Sequence, residues 1–280
     1  TDRVELLYLH SPDENVPIAE SAAALGELMA AGKTRSVGAS NCTLEQLQEL
    51  ILTGMAKRYE AIMKQPVHQQ PEPHTIIGLL TEAEAGYRVH QRTQLYLRLS
   101  KLRYNATPEQ INCTPGRGIT KEILSTLSDG VFIEKSENLL ITGATGCGKS
   151  FFACAMGRNA CLLGYRTLYY SMNRFIEALS AARLDGTYIR WLNTIAKTPL
   201  LIIDDFGLQP LNNDMRLTLL QILEDRFAKG ATIVTSQLPV NKWYEYINEP
   251  TLADAICDRL TSNAHKIELK GESLRKKKNN

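Results

Sequence analysis

A glycine-rich octapeptide at residues 143–150 constrains this chain more than any other segment. It reads Gly-Ala-Thr-Gly-Cys-Gly-Lys-Ser, which fits the pattern G-x-x-x-x-G-K-[ST]. The apolar run 138–142 precedes it and a helix-prone stretch follows, so the pattern lies between a predicted strand and a predicted helix. The alternative is an ordinary glycine-rich turn. The sequence predicts a phosphate-binding loop formed by Gly143, Ala144, Thr145, Gly146, Cys147, Gly148, Lys149 and Ser150.

Each residue type in this loop has a separate chemical reason. Glycines let backbone N–H groups turn inward around a phosphate, and the helix that begins near Lys149 points its positive end at the anion. Lys149 adds a mobile charge for the β- and γ-oxygens, and Ser150 supplies a hydroxyl to Mg²⁺. The expected ligand is a nucleoside triphosphate with magnesium.

A second motif lies at residues 200–205, Leu-Leu-Ile-Ile-Asp-Asp. The apolar run predicts a strand buried on both faces, and two carboxylates follow it, as in a Walker B strand. Asp204 is the predicted magnesium ligand, and Asp205 stands where many such ATPases place a glutamate that polarises the attacking water. Aspartate is one methylene shorter than glutamate, and the alternative is a strand end with two solvated acids.

Two further groups are candidates for the same site. A third predicted strand, residues 231–235, precedes Ser236 and Gln237, whose polar groups are placed to orient the water, although such residues are also common turn formers. Near a predicted helix end, Arg259 is a candidate to reach a neighbouring subunit's γ-phosphate. Arg259 also has the simpler alternative of pairing with Asp258 or another nearby acid.

Composition is that of a soluble enzyme without a membrane span. The 280 residues allow one or two domains, 44% are hydrophobic, and no apolar run has membrane-spanning length. We expect no signal peptide, and the six cysteines show no C-x-x-C pair or metal-type cluster with histidine. Reduced thiols and a cytoplasmic location are the simplest interpretation.

Charge is unevenly distributed along the chain. Residues 1–50 carry 3 basic and 8 acidic residues, whereas the rest carries 29 and 22. Basic groups concentrate near the end of a predicted helix and in the C-terminal tail, where nucleic-acid phosphates are the natural partner and a merely solvated face is the alternative. The DNA-binding candidates in these two clusters are Arg88, Arg92, Arg98, Lys101, Arg103, Lys276 and Lys277.

The order of predicted elements gives the fold class. A helical segment begins at residues 54–63, and a longer helix, residues 75–104, carries Leu95, Leu99 and Leu102 as a predicted buried stripe. A Pro- and Gly-containing linker, residues 107–118, leads into alternating strands and helices, which predict an α/β fold with a mostly parallel three-layer αβα sheet.

Four segments in this order, residues 143–150, 200–207, 235–239 and 271–275, closely resemble the IstB-like helper ATPases of insertion sequences. The resemblance runs from about residue 43 to the end. That family belongs to the AAA+ clade of replication initiators and helicase loaders, which implies a sensor strand between the Walker A and Walker B strands. It also implies ATP-dependent assembly of a self-oligomer on duplex DNA and delivery of target DNA to a partner transposase.

The resemblance assigns further roles. It implies sensor 1 at Ser236, with Thr235 less favoured, and the arginine finger at Arg259. A helical excursion at residues 174–196 corresponds to the insertion with which this clade tracks DNA. Few residues follow the last strand, so a lid-borne second sensor is missing or replaced, with Arg275 as a candidate. The candidate phosphate contacts of the excursion are Arg174, Arg183 and Arg190.

The first fifty residues are similar to a different family. Residues 3–10, 16–20, 31–33 and 37–41 resemble one central stretch of the aldo-keto reductase (β/α) barrel, in which His10, Ser40 and Asn41 match an active-site histidine and a Ser-Asn pair that contacts nicotinamide. The other tetrad residues of that family would lie before residue 1, and two or three strands cannot close a barrel. We expect no reductase activity.

Residues 43–50 fit both families, which places a seam in that helix. We expect a chain cut from something longer that contains an in-frame fusion, which arose from a mobile element landing in a reductase gene or from a gene-model error. Detection in cells of only a shorter polypeptide beginning near residue 43 would contradict the fusion. The predicted domains are an incomplete barrel fragment (1–43), a small helical DNA- or partner-binding domain (44–107), an AAA+ P-loop ATPase domain (108–270) and a basic tail (271–280).

Two function classes remain open at this point. The favoured one is a DNA-dependent, Mg²⁺-dependent ATPase that assembles on duplex DNA and helps a transposase. The alternative is a helicase loader, which shares the ATPase motifs but binds a helicase and single strands. A metabolic oxidoreductase is a third and more remote hypothesis. The residues that grip adenine are not identified, since Phe132 has both a stacking and a core interpretation.

Overall fold

The structure of the protein is a computed structural model that describes residues 4–9, 16, 18–39 and 52–274. The contacts divide the chain into two compact units, Thr1–Arg92 and Thr93–Asn280. The predicted domain limits at residues 43, 107 and 270 remain predictions.

The first unit begins with a strand, a helix and a second strand: β1 (Val4–Leu9), α1 (Ile18–Ala30) and β2 (Thr34–Ala39). The two strands pair in parallel, with Val4 opposite Thr34. A parallel pair needs a crossover between its strands, and α1 provides it. These elements occupy the segment that resembles a piece of a (β/α) barrel. His10, Ser40 and Asn41 lie outside the described residues.

Two helices follow, α2 (Thr53–Met63) and α3 (Pro73–Ser100). Gly54 allows a close approach, because a Cβ atom there would lie 2.5 Å from the Ala83 carbonyl oxygen. The nearly buried carboxylate of Glu84 accepts hydrogen bonds from the backbone N–H groups of Gly54 (2.8 Å) and Met55 (3.2 Å). It thereby satisfies two of the free donors at the start of α2.

The predicted end of α3 and its predicted leucine stripe are corrected by the structure. The helix ends at Ser100 rather than at residue 104, and Lys101 takes a left-handed φ of 53°. Leu95 and Leu99 are exposed, whereas Leu102 packs against the core. The turn at Lys101 redirects the chain, so the first leucine after the helix is the one that reaches the core.

The second unit contains a five-stranded sheet in which every neighbouring pair is parallel, in the order β4-β5-β6-β3-β7. The predicted placement of the third strand between the Walker A and Walker B strands is therefore confirmed, as is the predicted α/β fold. The strands are β3 (Asn138–Gly143), β4 (Thr167–Ser171), β5 (Leu200–Phe206), β6 (Ala231–Ser236) and β7 (Ala264–Leu269).

Helices cover this sheet and fill the connections. Short 3₁₀ turns at Pro108–Gln110 and Pro115–Arg117 occupy the predicted linker. The helices are α4 (Lys121–Ser128), α5 (Val131–Glu134), α6 (Lys149–Leu162), α7 (Met172–Leu184), α8 (Tyr188–Ala196), α9 (Asn213–Arg226), α10 (Trp243–Ile247) and α11 (Pro250–Thr261).

The strands read as continuous apolar runs because both faces of the sheet are buried. Within β3, Leu139 and Ile141 belong to one core cluster and Leu140 to the other. Phe132 is buried in the first cluster, so its core interpretation holds. Because the strands are parallel, the loops after β3, β5 and β6 meet at one edge of the sheet, where a parallel α/β fold places its ligands.

The predicted helical excursion at residues 174–196 consists of two helices. A break at Asp185 and Gly186, the latter with φ of 72°, separates α7 from α8. Ser171 accepts a hydrogen bond from the Arg174 N–H and so caps α7 directly at the end of β4. The excursion therefore starts at the same sheet edge as the phosphate-binding loop.

Candidate functional site

The phosphate-binding loop connects β3 to α6 and depends on three glycines with positive φ. The values are 144° at Gly143, 83° at Gly146 and 103° at Gly148. A Cβ atom at Gly143 would lie 2.2 Å from the Leu269 carbonyl oxygen, and one at Gly146 would lie 2.2 Å from Ser273 Oγ. Conformation and space both require glycine here. The loop leads directly into the N-terminus of a 14-residue helix, which favours an anion.

Lys149 lies across the mouth of this loop. Its side chain is nearly buried, and Nζ donates hydrogen bonds to the carbonyl oxygens of Gly143 (2.8 Å) and Ala144 (2.9 Å). A buried ammonium needs such acceptors, and the two carbonyls hold it beside the backbone that would surround a phosphate. The arrangement supplies a positive charge at the phosphate position before a ligand arrives.

Asp204 at the end of β5 is completely buried and receives three hydrogen bonds. Ser150 donates to Oδ1 at 2.8 Å, the Thr235 hydroxyl also donates to Oδ1, and the Tyr169 hydroxyl donates to Oδ2 at 2.5 Å. Burial, reinforced by the hydrogen bond to Asp204, raises the pKa of Tyr169 far above its usual value. Tyr169 therefore stays a neutral donor at physiological pH.

Asp205 has an unusual backbone conformation for a non-glycine residue, with φ of 60°. Aspartate is among the few residue types enriched in this left-handed region. A register shift between Ile203 and Phe206 in the pairing of β5 with β6 accompanies it. The Asp205 N–H donates to Thr235 Oγ1 at 3.0 Å, and its carboxylate accepts from Arg103 Nη1 at 3.5 Å.

A cavity of about 440 Å³ lies over the loop. Besides the loop it is lined by Asp205 and Gln237 and by residues that sequence reasoning missed, namely Tyr104, Gln110, Ile111, Asn112 and Arg117. All but Tyr104 lie in the stretch interpreted only as a linker. Arg117 Nη2 donates to the Cys147 carbonyl oxygen at 2.7 Å, which ties this stretch to the phosphate-binding loop. An apolar and aromatic wall beside a phosphate site suits a nucleobase.

The third strand presents its polar groups in an unexpected order. The buried Ser236 hydroxyl donates to the Phe206 carbonyl oxygen (2.6 Å) and accepts from the Leu238 N–H (3.0 Å). Gln237 Oε1 instead accepts from Thr145 in the phosphate-binding loop at 2.8 Å. Thr235 therefore contacts Asp204 and Asp205, and Gln237 contacts the phosphate-binding loop. The hydrogen bonds of the Ser236 hydroxyl with Phe206 and Leu238 both involve backbone groups.

Arg259 lies in the last turn of α11, outside the residues that line the nucleotide cavity. Its guanidinium is 3.1 Å from Glu224 and 2.6 Å from Asp258, and it lies 4.8 Å from the centroid of the Phe227 ring. Arg259 therefore forms ion pairs with acids of its own chain, as the simpler alternative predicted. A role in a neighbouring subunit's site remains a prediction.

The remaining basic candidates fall into separate groups. Lys101, Arg103 and Arg174 line one groove beside Asp205. Arg183 is 2.7 Å from Asp214 and Arg88 is 2.7 Å from Glu84. The side chains of Arg92, Arg98 and Arg190 are exposed, and Arg275, Lys276 and Lys277 lie outside the described residues.

The donor set at the end of β5 fits Mg²⁺. A hydroxyl, Ser150 Oγ, and a carboxylate oxygen, Asp204 Oδ1, are 2.8 Å apart, and hard oxygen ligands of this kind are those that Mg²⁺ prefers. Among the described residues there is no cluster of three or more His, Cys, Asp and Glu side chains suited to hold a metal. A magnesium ion here would complete its coordination with phosphate and water. No helix among the described residues is long and apolar enough to cross a membrane.

The sheet order and this site define the AAA+ class of P-loop ATPases. Solved structures share the fold: the DnaC helicase loader (TM-score 0.51, 20% identity, 61% of this chain and 99% of that chain) and DnaI (TM-score 0.50, 20% identity, 60% and 90%). A third is AMPPCP-bound DnaA from Aquifex aeolicus (TM-score 0.52, 19% identity, 64% and 55%). At these identities the likeness concerns the fold alone.

The chain belongs to the IstB-like ATP binding protein family, whose family model matches residues 45–280. It is 44% identical to the insertion sequence ATP-binding protein y4pL of Sinorhizobium fredii, over 84% of this chain and 96% of that protein. It is 39% identical to the IS1162 ATP-binding protein of Pseudomonas fluorescens, over 70% and 86%. The chain is therefore an ATP-binding AAA+ ATPase associated with insertion sequences.

A second family model overlaps with the first. The aldo/keto reductase family model matches residues 1–72. Both predicted resemblances are thus confirmed, and the two matches share residues 45–72. The overlap contains the predicted seam at residues 43–50 only in part and extends through α2.

Proposed function

We propose that this protein is a Mg²⁺- and DNA-dependent ATPase that assembles on duplex DNA and presents target DNA to a transposase. One observation supports the proposal most: the side chains of Ser150 and Thr235 both donate hydrogen bonds to Asp204 at the sheet edge where Lys149 lies. The insertion-sequence names of the relatives support the setting. The oligomer, duplex DNA and transposase are the proposed partners.

ATP hydrolysis in this proposal relies on few residues. Lys149 would bind the β- and γ-phosphates, and Ser150 and Asp204 would hold Mg²⁺, whose chemistry would be to neutralise charge that develops on the phosphate oxygens. Asp205 orients the attacking water from the boundary of the same cavity. The Thr235 hydroxyl donates a hydrogen bond to the Asp204 carboxylate and accepts one from the Asp205 N–H. Thr235 is in this way a positioning residue for both carboxylates.

Assembly would complete the site in trans. In this proposal Arg259 leaves Glu224 and Asp258 and reaches the γ-phosphate of the adjacent subunit, so hydrolysis depends on oligomerisation. An arginine supplied in trans is worth about 10³–10⁵ in rate in other phosphoryl-transfer systems. ATP then favours the assembled, DNA-bound state and hydrolysis releases it.

The testing experiment measures binding of random-sequence duplex DNA with and without ATP and Mg²⁺, using an equal-length single strand as competitor. We expect ATP-dependent binding that prefers the duplex. Lys149→Ala is expected to lose nucleotide binding and the ATP-dependent part of DNA binding, while Lys121→Ala, an exposed lysine on α4, serves as the matched control. Preference for the single strand would support the helicase-loader alternative.

For the first 43 residues we infer no reductase activity. The described part of that segment contains two parallel strands and one helix, which cannot form a closed eight-stranded barrel by themselves. Incubation with NADPH and simple carbonyl substrates checks this, and turnover above that of a buffer control would contradict it. Immunoblotting of cell extracts for a product that contains residues 1–43 tests the fusion.

A further inference from the structure

A groove of about 970 Å³ adjoins Asp205 of the Walker B motif. Three basic side chains line it, Lys101, Arg103 and Arg174, together with two acids, Glu177 and Asp205. The bases come from the turn after α3 and from the start of α7, two segments far apart in sequence. The lining therefore carries three cations and two carboxylates, an excess of positive charge.

Asp205 lines both this groove and the nucleotide cavity. The two neighbours Arg103 and Tyr104 divide in the same way, because Arg103 lines the groove and Tyr104 lines the cavity. The ring centroids of Tyr104 and Phe151, the residue after Ser150, are 6.2 Å apart. The wall between the two spaces therefore consists of the chain after Lys101 and the end of β5.

Arg103 lies within reach of both carboxylates. Its Nη1 atom is 3.5 Å from Asp205 Oδ2 and 4.0 Å from Asp204 Oδ2, and its side chain remains 44% exposed. A guanidinium at this position partly neutralises two acids that a divalent cation and a polarised water would otherwise engage. Arg103 and a divalent cation thus compete for the same two carboxylates.

We propose that the groove binds nucleic-acid phosphates and that Arg103 is a positioning residue that couples this binding to occupancy of the nucleotide site. A phosphate in the groove draws Arg103 away from Asp204 and Asp205, which frees the carboxylates for Mg²⁺·ATP. Conversely, Mg²⁺·ATP releases Arg103 toward the groove. The proposal rests on the proposed function and deepens it by naming the residue that links the two ligands.

Linkage makes this coupling reciprocal and measurable. If Mg²⁺·nucleotide tightens DNA binding by a factor, DNA tightens nucleotide binding by the same factor. Couplings between sites in proteins are typically about 5–150-fold. We expect a factor in this range for the wild-type chain with a non-hydrolysable ATP analogue, measured as duplex affinity with and without the analogue and Mg²⁺.

Two substitutions in the groove distinguish a residue that couples DNA binding to nucleotide binding from a residue that only contacts DNA. Arg103→Ala is expected to reduce the coupling factor to about 1, and Arg103→Lys is expected to retain part of it. Arg174→Ala removes a different groove cation, contributed by the first turn of α7, so it should weaken DNA binding about equally with and without nucleotide. Thermal melting of each variant checks that the fold is retained.

A magnesium titration without DNA tests the competition separately. Since Arg103 opposes the cation, Arg103→Ala should bind the ATP analogue at a lower Mg²⁺ concentration than the wild type. This readout does not require DNA binding, so it still tests the role of Arg103 if duplex binding, and with it the proposed function, fails. An equal or higher Mg²⁺ requirement in Arg103→Ala would overturn the competition.

Two results with DNA would overturn the proposal. An unchanged coupling factor in Arg103→Ala, with duplex affinity reduced equally in both nucleotide states, would leave Arg103 as a simple DNA contact. A change in oligomeric state by light scattering, with DNA affinity unaltered in Arg103→Ala and Arg174→Ala, would assign the groove to an acidic surface of a second copy.

Discussion

Ser150 and Asp204 are 54 positions apart in the chain, and the Ser150 hydroxyl donates a 2.8 Å hydrogen bond to Asp204 Oδ1. Ser150 is the second residue of α6, and Asp204 lies in β5, which is two strands away from β3 in the sheet. This hydrogen bond holds together the two oxygen atoms that are the proposed ligands of Mg²⁺. A magnesium ion bound by this pair would replace the hydrogen bond between them.

Asp205→Asn is expected to permit nucleotide binding, to lower hydrolysis by about 100-fold or more, and to trap the protein on DNA. A general base typically contributes about 10²–10⁴-fold, and asparagine tolerates the left-handed φ of 60°. The measurements are steady-state ATPase rates and DNA dissociation after addition of a competitor. Rapid DNA release by the variant in ATP would argue against Asp205 as the group that polarises water.

Thr235→Val is expected to lower the free energy of unfolding by about 1–3 kcal/mol, because it leaves a buried carboxylate and the Asp205 N–H without one partner each. Valine keeps the shape and the strand preference of threonine. Thr235→Ser keeps the hydroxyl and is the matched control. Denaturant unfolding of the two variants in the absence of nucleotide measures the difference, and equal stability would contradict the role of this hydroxyl.

Arg259→Ala separates the two interpretations of this arginine. As a group supplied in trans it should lower assembly-dependent hydrolysis by about 10³-fold or more while nucleotide affinity stays unchanged. As a partner of Glu224 and Asp258 it should lower stability, by no more than about 1 kcal/mol for such partly exposed pairs. Glu224→Gln is the control, since it removes one ion pair but leaves the guanidinium. Loss of folding without a change in the rate per folded molecule would favour the structural role.

Truncation after Leu274 is expected to weaken DNA binding and to reduce its dependence on salt. The removed residues include Arg275, Lys276 and Lys277. The slope of log affinity against log salt should fall by about 0.9 for each tail cation that neutralises a phosphate of duplex DNA. Titrations at several salt concentrations provide the slope, and an identical slope in the truncated chain would mean that the tail makes no phosphate contact.

Local motifs made the centre of the site predictable. The residues 143–150 and 200–205 are contiguous, and each motif carries its own chemistry and the strand that positions it. The alternation of strands and helices then fixed the parallel sheet, because parallel strands require crossovers. The end of α3 was predicted at residue 104 but lies at Ser100, because the left-handed Lys101 gives no clear signal in the sequence.

Long-range contacts were not predictable. Arg103 meets Asp205 across 102 positions, and no local pattern distinguishes it from the neighbouring bases on the exposed helix. The choice between Thr235 and Ser236 depends on which face of β6 points toward Asp204, and this follows from the register of β6 against β5. The residues Gln110, Ile111 and Asn112 reach the nucleotide cavity only through the path of the folded linker.

The segment after β7 lies directly on the phosphate-binding loop, since the Leu274 N–H donates to the Gly146 carbonyl oxygen at 3.0 Å and Leu274 lines the nucleotide cavity. This arrangement affects how the protein is labelled. A fluorophore attached at position 274 would respond to nucleotide directly, whereas a bulky affinity tag joined close behind it would disturb the same loop. Reporter groups intended to be silent therefore belong on an exposed helix such as α4, and those intended as sensors belong beside Leu274.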